Sequence, residues 1–263
     1  MLKADTSEVR KALIAAGITG PHQSHSRSGS LSKIHSLLEG LEPEATFGLP
    51  GLEKYSAAEI LGFMAELTGC SSDIADSTCD DFIDPEKTIA GLLGAARRLR
   101  DEARRGGSLL AVTGHPTGML EFYVRVMDAF VRAGGKQVRL REGEQLPIGN
   151  RGQTREVRYV GGVGCVADWG SLRHTHSPAA MEALLQEDPW PDLVLGDHGF
   201  AGAALAREIP VVAVVDINDH ALAVAAAEHR AITIIPMDDN RPPRLYEPAW
   251  TLVERIISGE LDE

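Results

Sequence analysis

Residues 193–220 read LVLGDHGFAGAALAREIPVVAVVDINDH, and the alternation inside this stretch sets the architecture of the chain. Leu193-Val194-Leu195 and Val211 to Val215 are short, continuously apolar runs, separated by a helical pattern from Ala201 to Arg207. A strand open to water on one side alternates apolar and polar residues, whereas an unbroken apolar run belongs to a strand covered on both faces. The pattern continues with a helix from His220 to Glu228 and a strand from Ile232 to Ile235, and Trp250 to Ile257 predicts a closing helix. Strand-helix-strand repetition needs parallel strands joined by crossover helices. The fold class is therefore α/β: a doubly wound, mainly parallel sheet flanked by helices, with a helical N-terminal region.

Working back from that stretch, Leu109 to Val112 predicts a strand, Met119 to Arg132 a long helix ending at Gly134-Gly135, and Lys136 to Arg141 a second strand. Tyr159 to Val166 is apolar, and its Gly161-Gly162-Val163-Gly164 reads as close backbone packing. Ala179 to Leu185 predicts a helix, while the polar stretch Glu142 to Arg158 predicts no element. Before residue 108 the patterns are helical. Asp84 caps a helix with Pro85 at its first position and Ile89, Leu92, Leu93, Ala96 and Leu99 on one face. Shorter amphipathic patterns cover Val9 to Ile18, Leu31 to Leu38 and Ala57 to Leu67. The polar segment His22 to Ser32 reads as a flexible loop, or as a lid whose His, Arg and Ser close over an anionic substrate. The expected division is a helical region over residues 1–107, packing on or capping the sheet, and an α/β catalytic domain over residues 108–263, the two forming one continuous domain if the helices merely wrap the sheet.

With 43% hydrophobic and 24% charged residues, a chain of 263 residues can bury a core without a metal or disulfide staple. A net charge of −12 opposes docking on a nucleic-acid backbone. The basic run Arg97-Arg98-Leu99-Arg100 with Arg104-Arg105 reads as a solvated helix face. Cys70, Cys79 and Cys165 have no CxxC spacing and cannot all pair, which points to a reducing compartment. The opening residues lack the apolar core of a signal peptide, and no apolar run is long enough for a bilayer. A cytoplasmic location without a membrane partner is expected.

In doubly wound sheets ligands bind beyond the carboxyl ends of the strands. Acids and imidazoles collect at those ends here: Gly114-His115, Asp197-His198, Asp216-Ile217-Asn218-Asp219 and Asp238-Asp239, with His174-Thr175-His176 before a helix. Taken singly, each is a helix cap or a turn; the recurrence is what points to a site. In an extended segment residues two apart share a face, so His174 and His176 can reach one ion, and with Asp197, His198 and Asp216 able to converge they make a mixed N and O set for a divalent cation. The competing reading is metal-free, with the histidines binding an anion or acting as general acid and base. Thr113 to Gly118 is a turn between strand and helix suited to an anion. It has no Gly-Lys-Ser/Thr ending and is not GxGxxG, and the chain has no G-x-S-x-G elbow. Cys165 reads as a buried small hydrophobe.

These residues also resemble a family of actinobacterial proteins of similar length, generally named only phosphatase. The resemblance is carried by Asp81-Phe82-Ile83-Asp84-Pro85-Glu86-Lys87-Thr88, Thr113-Gly114-His115-Pro116, His174-Thr175-His176-Ser177-Pro178, Leu195-Gly196-Asp197-His198-Gly199 and Asp216-Ile217-Asn218-Asp219 through Asp238-Asp239, in that order. It implies phosphoryl chemistry. The combined expectation is a phosphatase-like hydrolase cleaving a phosphate monoester of a small metabolite with a divalent metal, Mg, Mn or Zn. Thr113, Gly114, His115, Thr117 and Gly118 would hold the phosphate. His174, His176, Asp197 and Asp216 would hold the metal, and His198, His115 and Asp219 would be catalytic. Direct attack by water is expected, since the DxDx[TV] pattern that would make Asp197 a covalent nucleophile is absent. A sugar-phosphate isomerase or lyase and a non-catalytic phosphate or metabolite sensor are the alternatives. The partner is a small phosphorylated metabolite, and self-association as a homodimer stays open.

Overall fold

The computed structural model describes residues 2–78, 80–149, 152–186 and 188–261. In chain order the elements are α1 (Leu2–Ala16), β1 (Gly20–Pro21), α2 (Arg27–Leu38), α3 (Ala57–Thr68), β2 (Phe82–Ile83), α4 (Pro85–Arg104), β3 (Ser108–Thr113), α5 (Pro116–Arg132), β4 (Lys136–Gln137), β5 (Glu156–Val160), β6 (Val163–Asp168), β7 (Ser171–Leu172), α6 (Ala179–Leu184), β8 (Leu193–Gly196), α7 (His198–Ala206), β9 (Val211–Val215), α8 (His220–Ala227), β10 (Ile232–Pro236) and α9 (Glu247–Ile257). The main sheet runs β10-β9-β8-β3-β6-β5, and its first five strands are mutually parallel. β5 and β7 lie antiparallel to β6. The chain leaves β3 towards β6 on one side and returns to β8 on the other. That reversal opens a crevice between the carboxyl ends of β3 and β8, where open α/β sheets bind ligands.

Both faces of the sheet are covered, as unbroken apolar strands demand. Leu109 and Ala111 of β3 face a core made with α1, α4, α5 and α9, while Leu110 and Val112 face a core made with α2, α3, α6, α7 and α8. Each core draws on residues from both before and after position 108. Asp84 accepts from the Glu86 N–H at the start of α4, and Ser56 and Glu59 form a reciprocal cap on α3. No helix among the described residues is long and apolar enough to cross a membrane.

Three local expectations are corrected. Lys136 to Arg141 is a strand for two residues only, because β6 takes the edge of β3 from Ala111 onward and leaves β4 nothing further to pair with. The apolar run through Tyr159 to Val166 is a hairpin, not one segment: Gly161 and Gly162, at φ of 57° and 88°, form the two-residue turn between β5 and β6. The polar segment His22 to Ser32 is loop only as far as Ser26, whose hydroxyl accepts from Gly29 N to cap α2. The α2 pattern is hidden in the sequence because two of its buried positions are polar, Arg27 and Ser30.

Candidate functional site

At the mouth of the crevice, Asp197 follows β8 and Thr113 ends β3. Thr113 Oγ1 donates to Asp197 Oδ2 at 2.6 Å, and Gly114 N–H donates to Asp197 Oδ1 at 2.6 Å. Asp197 is fully buried and thereby fixed. Its Oδ1 lies 3.5 Å from Nδ1 of His198, a residue held at φ 46° at the head of α7. On the opposite edge of that ring, Nε2 lies 3.6 Å from Asp219 Oδ1 and 3.2 Å from Asp239 Oδ2. Asp219 is oriented in turn, since its Oδ2 accepts the Asp216 N–H at 2.9 Å. Nδ1 makes no hydrogen bond, so Asp197 acts on this ring through its charge, while the carboxylates of Asp219 and Asp239 stand before Nε2.

The His174-Thr175-His176 segment is laid over this point by glycines. A Cβ on Gly114 would overlap the Thr175 carbonyl, and one on Gly199 would overlap the carbonyls of His176 and Ser177. With both notches open, Thr175 N–H bonds to Gly114 O at 2.9 Å. His174 then stacks on His115 with ring centroids 4.5 Å apart, and His176 lies 4.5 Å from His198. The Nε2 atoms of His174 and His176 are 3.2 Å apart. His115 Nδ1 approaches Asp239 Oδ2 at 3.2 Å, off the line of a hydrogen bond.

Electrostatics divides these rings. Burial resists charge on His198, but Asp219, Asp239 and Asp197 outweigh it and raise the imidazole to about 10. His115 is raised against burial by Asp239. Burial, with His115 and His198 nearby, lowers His174 to about 4. Burial, with His198 nearby, lowers His176 to about 2. Asp219 is pushed up to about 6 by burial, while His115 and His198 overcome burial to hold Asp239 well below the usual carboxylate range.

A second lobe comes from the N-terminal segment. Asp238 N–H bonds to Ile18 O at 3.0 Å, and β1 pairs with β2, so the chain after Pro21 runs past the ends of β9 and β10. His22 Nε2 there lies 2.6 Å from Asp216 Oδ1. Its Nδ1 accepts the N–H groups of Ser24 and His25 at 3.2 and 3.0 Å. Burial resists charge on His22, and Asp216 and Asp238 outweigh it, pushing the ring up to about 9. The carboxylates thus favour a charged ring, but the two N–H groups aimed at Nδ1 leave no place for a second proton, and this geometry decides for the neutral ring with its proton on Nε2. Ser24 Oγ donates to Asp238, and His25 Nε2 lies 3.4 Å from Asp216 Oδ2. Three groups among the described residues bring nitrogen or carboxylate atoms within 4.8 Å of one another: His115, His174 and His198; His198, Asp219 and Asp239; and His22, Asp216 and Asp238.

The family model described as Phosphatase matches residues 4–258. The chain belongs to this phosphatase family. A curated relative from Streptomyces coelicolor, itself named a phosphatase, is 34% identical over 237 residues, covering 87% of this chain and 88% of its own length.

Within this phosphatase-family chain, the sequence-predicted residues divide. His115, His174, His176, Asp197, His198 and Asp219 meet at the crevice, whereas Asp216 faces the second lobe, and His176 and Asp197 fall in none of the three groups. The expected phosphate turn is largely occupied by the protein: besides Gly114, His115 N–H donates to Thr113 Oγ1 and Gly118 N–H to His115 O. Gly118 is needed because a Cβ there would overlap the Asp239 carbonyl. Thr117 is exposed at the start of α5. The sequence offered His22, Ser24 and His25 only as part of a loop or an anion-binding lid, not as partners of the strand-end carboxylates, and it counted Asp238 and Asp239 in the site without assigning them a role. The His-x-x-His spacing directly after the Gly20-Pro21 stop was the available signal. The lid reading does not hold for its arginine: Arg27 is 1% exposed, paired with Asp81 at 3.3 Å and donating to the carbonyls of Ser71 and Asp73. Cys70 and Cys165 are free and buried, with burial pushing the Cys165 thiol up to about 12; Cys79 lies outside the described residues.

Proposed function

We propose that this chain hydrolyses phosphate monoesters of small metabolites with the help of a divalent cation held by His198 Nε2, Asp219 Oδ1 and Asp239 Oδ2. The observation that carries the reading is Asp239 Oδ2, buried and without a hydrogen bond while two imidazoles stand 3.2 Å away. An unsatisfied buried carboxylate oxygen is costly unless something positive occupies the gap. This ligand set replaces the His174, His176, Asp197 and Asp216 set of the sequence reading. Asp197 is left out because it falls in none of the three groups of converging donors; it stands instead behind His198, its Oδ1 3.5 Å from Nδ1. Mixed imidazole and carboxylate donors suit Mn or Zn, and Mg if carboxylates dominate.

When bound, such a cation polarises the phosphoryl oxygens and lowers the pKa of water. The protein's own groups do the rest. His115, raised by Asp239, offers a donor to a phosphoryl oxygen, and Thr117 at the start of α5 adds the favourable end of the helix dipole. His174 and His176 are neutral at neutral pH, and the 3.2 Å contact between their Nε2 atoms requires one to carry the proton and the other to accept it. Rings lowered that far are weak bases, so the pair orients a water through its hydrogen bonds and leaves the proton to other groups. Phe47, with its ring 5.6 Å from His176 and 5.5 Å from His198, walls the site on its apolar side.

A panel of small phosphate monoesters, incubated with Mg²⁺, Mn²⁺ or Zn²⁺ with and without chelator, tests the reading. Free phosphate released only when a cation is present is expected. Isomerised product with no phosphate, tight binding without turnover, or turnover indifferent to chelator would each overturn it.

A further inference from the structure

We propose a second divalent-cation site beside the first, formed by Asp216 Oδ2, Asp238 and His25 Nε2, with His22 holding Asp216 in place. The inference rests on the cation-dependent reading above and extends it to a two-cation centre.

His22 is excluded as a direct ligand by its own hydrogen bonds. A ring that accepts two backbone N–H groups at Nδ1 carries its proton at Nε2, and that proton points at Asp216 Oδ1, 2.6 Å away. Oδ1 also accepts the Ile217 N–H at 2.7 Å. The other oxygen, Oδ2, has no hydrogen bond, although the side chain is 1% exposed. Its neighbour is His25 Nε2 at 3.4 Å. A carboxylate pinned through one oxygen and bare at the other is how a second shell presents a metal ligand. Asp238 completes the set: it accepts from Ser24 Oγ and from Asn240 N–H, which orient it, and a carboxylate has lone pairs to spare beyond those bonds.

The strand ends are built in duplicate. β9 supplies Asp216 and Asp219, and β10 supplies Asp238 and Asp239; one of each pair goes to the His198 group and the other to the His22 group. Charge argues the same way. Asp197, Asp216, Asp219, Asp238 and Asp239 are all buried. His198 and His115 stand against Asp197, Asp219 and Asp239, whereas the neutral ring of His22 brings no positive charge to Asp216 and Asp238; a second cation would supply it.

The test uses full-length protein stripped with EDTA and titrated with Mn²⁺ by calorimetry, with bound metal measured after dialysis. Two equivalents per chain are expected for the parent protein, and one for each of His25→Ala, Asp238→Asn and Asp219→Asn. A single equivalent that Asp219→Asn abolishes and Asp238→Asn retains overturns the second site and leaves the first standing. Two equivalents unaffected by either His25→Ala or Asp238→Asn also overturn it. No bound Mn²⁺ at all overturns both readings. Circular dichroism reports whether each variant folds; should Asp238→Asn fail to fold, His25→Ala decides, because that side chain is 30% exposed and lies in a loop.

Discussion

Thr113 Oγ1 and Asp197 Oδ2 are 2.6 Å apart, and this hydrogen bond ties the ends of two strands 84 residues apart in the chain. It also fixes the carboxylate that stands 3.5 Å behind His198 Nδ1, on the edge of the ring opposite Asp219 and Asp239. Thr113→Val keeps the β-branched shape but removes the donor. Loss of such outer support costs about 10–100-fold in metal affinity or activity. We expect Mn²⁺ affinity and kcat/KM to fall by that order, and Thr113→Ser to restore both. An unchanged Mn²⁺ affinity in Thr113→Val would remove Asp197 from this supporting role.

Asp239 sits between His115 and His198 and has no hydrogen bond of its own at Oδ2. Asp239→Asn preserves size while removing the charge and turning one oxygen into a donor. Phosphate release should drop by at least about a hundredfold, in line with removal of a group that stabilises transition-state charge. Thermal denaturation separates this from misfolding. A variant that melts like the parent and turns over at the parental rate would refute the ligand assignment.

Gly199 tests the packing that assembles the histidines. An added Cβ meets the carbonyls of His176 and Ser177, which are backbone atoms and cannot swing aside. Gly199→Ala should destabilise by about 1–3 kcal/mol, as overpacking does. It should also displace His176 from His198, so activity should fall even at temperatures where the variant is folded. A control at Gly170, where nothing lies within 4 Å and the backbone is not left-handed, should leave turnover unchanged.

These cases show which parts of the molecule were legible in the sequence. The parallel strands were, because a strand buried on both faces has no choice but to be apolar, and Leu193 to Gly196 and Val211 to Val215 announce it. The strand-end clusters followed, since polar residues directly after such runs have only the crevice to occupy. Convergence was not legible. Nothing in the sequence says that Gly114 and Gly199 are notches for the 175–177 backbone, so the packing of His174 on His115 and of His176 beside His198 could not be read from it. The His22 lobe was obscured for another reason: its strand is two residues long, and the helix behind it buries Arg27 and Ser30 among its apolar positions. Periodicity fails where buried positions are polar.

Arg27 makes that last point measurable. Its guanidinium is buried against Asp81, which also accepts from Ser30 Oγ at 2.6 Å. Removing one partner of a buried ion pair costs about 3–5 kcal/mol, because the other charge is left uncompensated. Arg27→Ala should therefore lower stability to urea by that order. At temperatures where it remains folded, its KM should match the parent's. A substrate-binding lid arginine gives the opposite pattern, a raised KM with stability intact.

Cation binding should also be visible as stability. The carboxylates at the ends of β9 and β10 are buried, and without a cation their desolvation is opposed by a few hydrogen bonds and by nearby imidazoles alone. A ligand that binds the folded chain and not the unfolded one adds RT ln(1 + [L]/Kd), about 2.7 kcal/mol at a hundredfold excess over Kd. Stripping the protein with chelator should lower its melting temperature, and Mn²⁺ should restore it with a midpoint that depends on Mn²⁺ concentration. Asp239→Asn should blunt that response, because fewer oxygens favour the cation and the apo state loses a buried charge. A melting temperature indifferent to chelator in the parent would mean that protonated His198 alone balances Asp219 and Asp239, leaving these carboxylates with a purely proton-linked role.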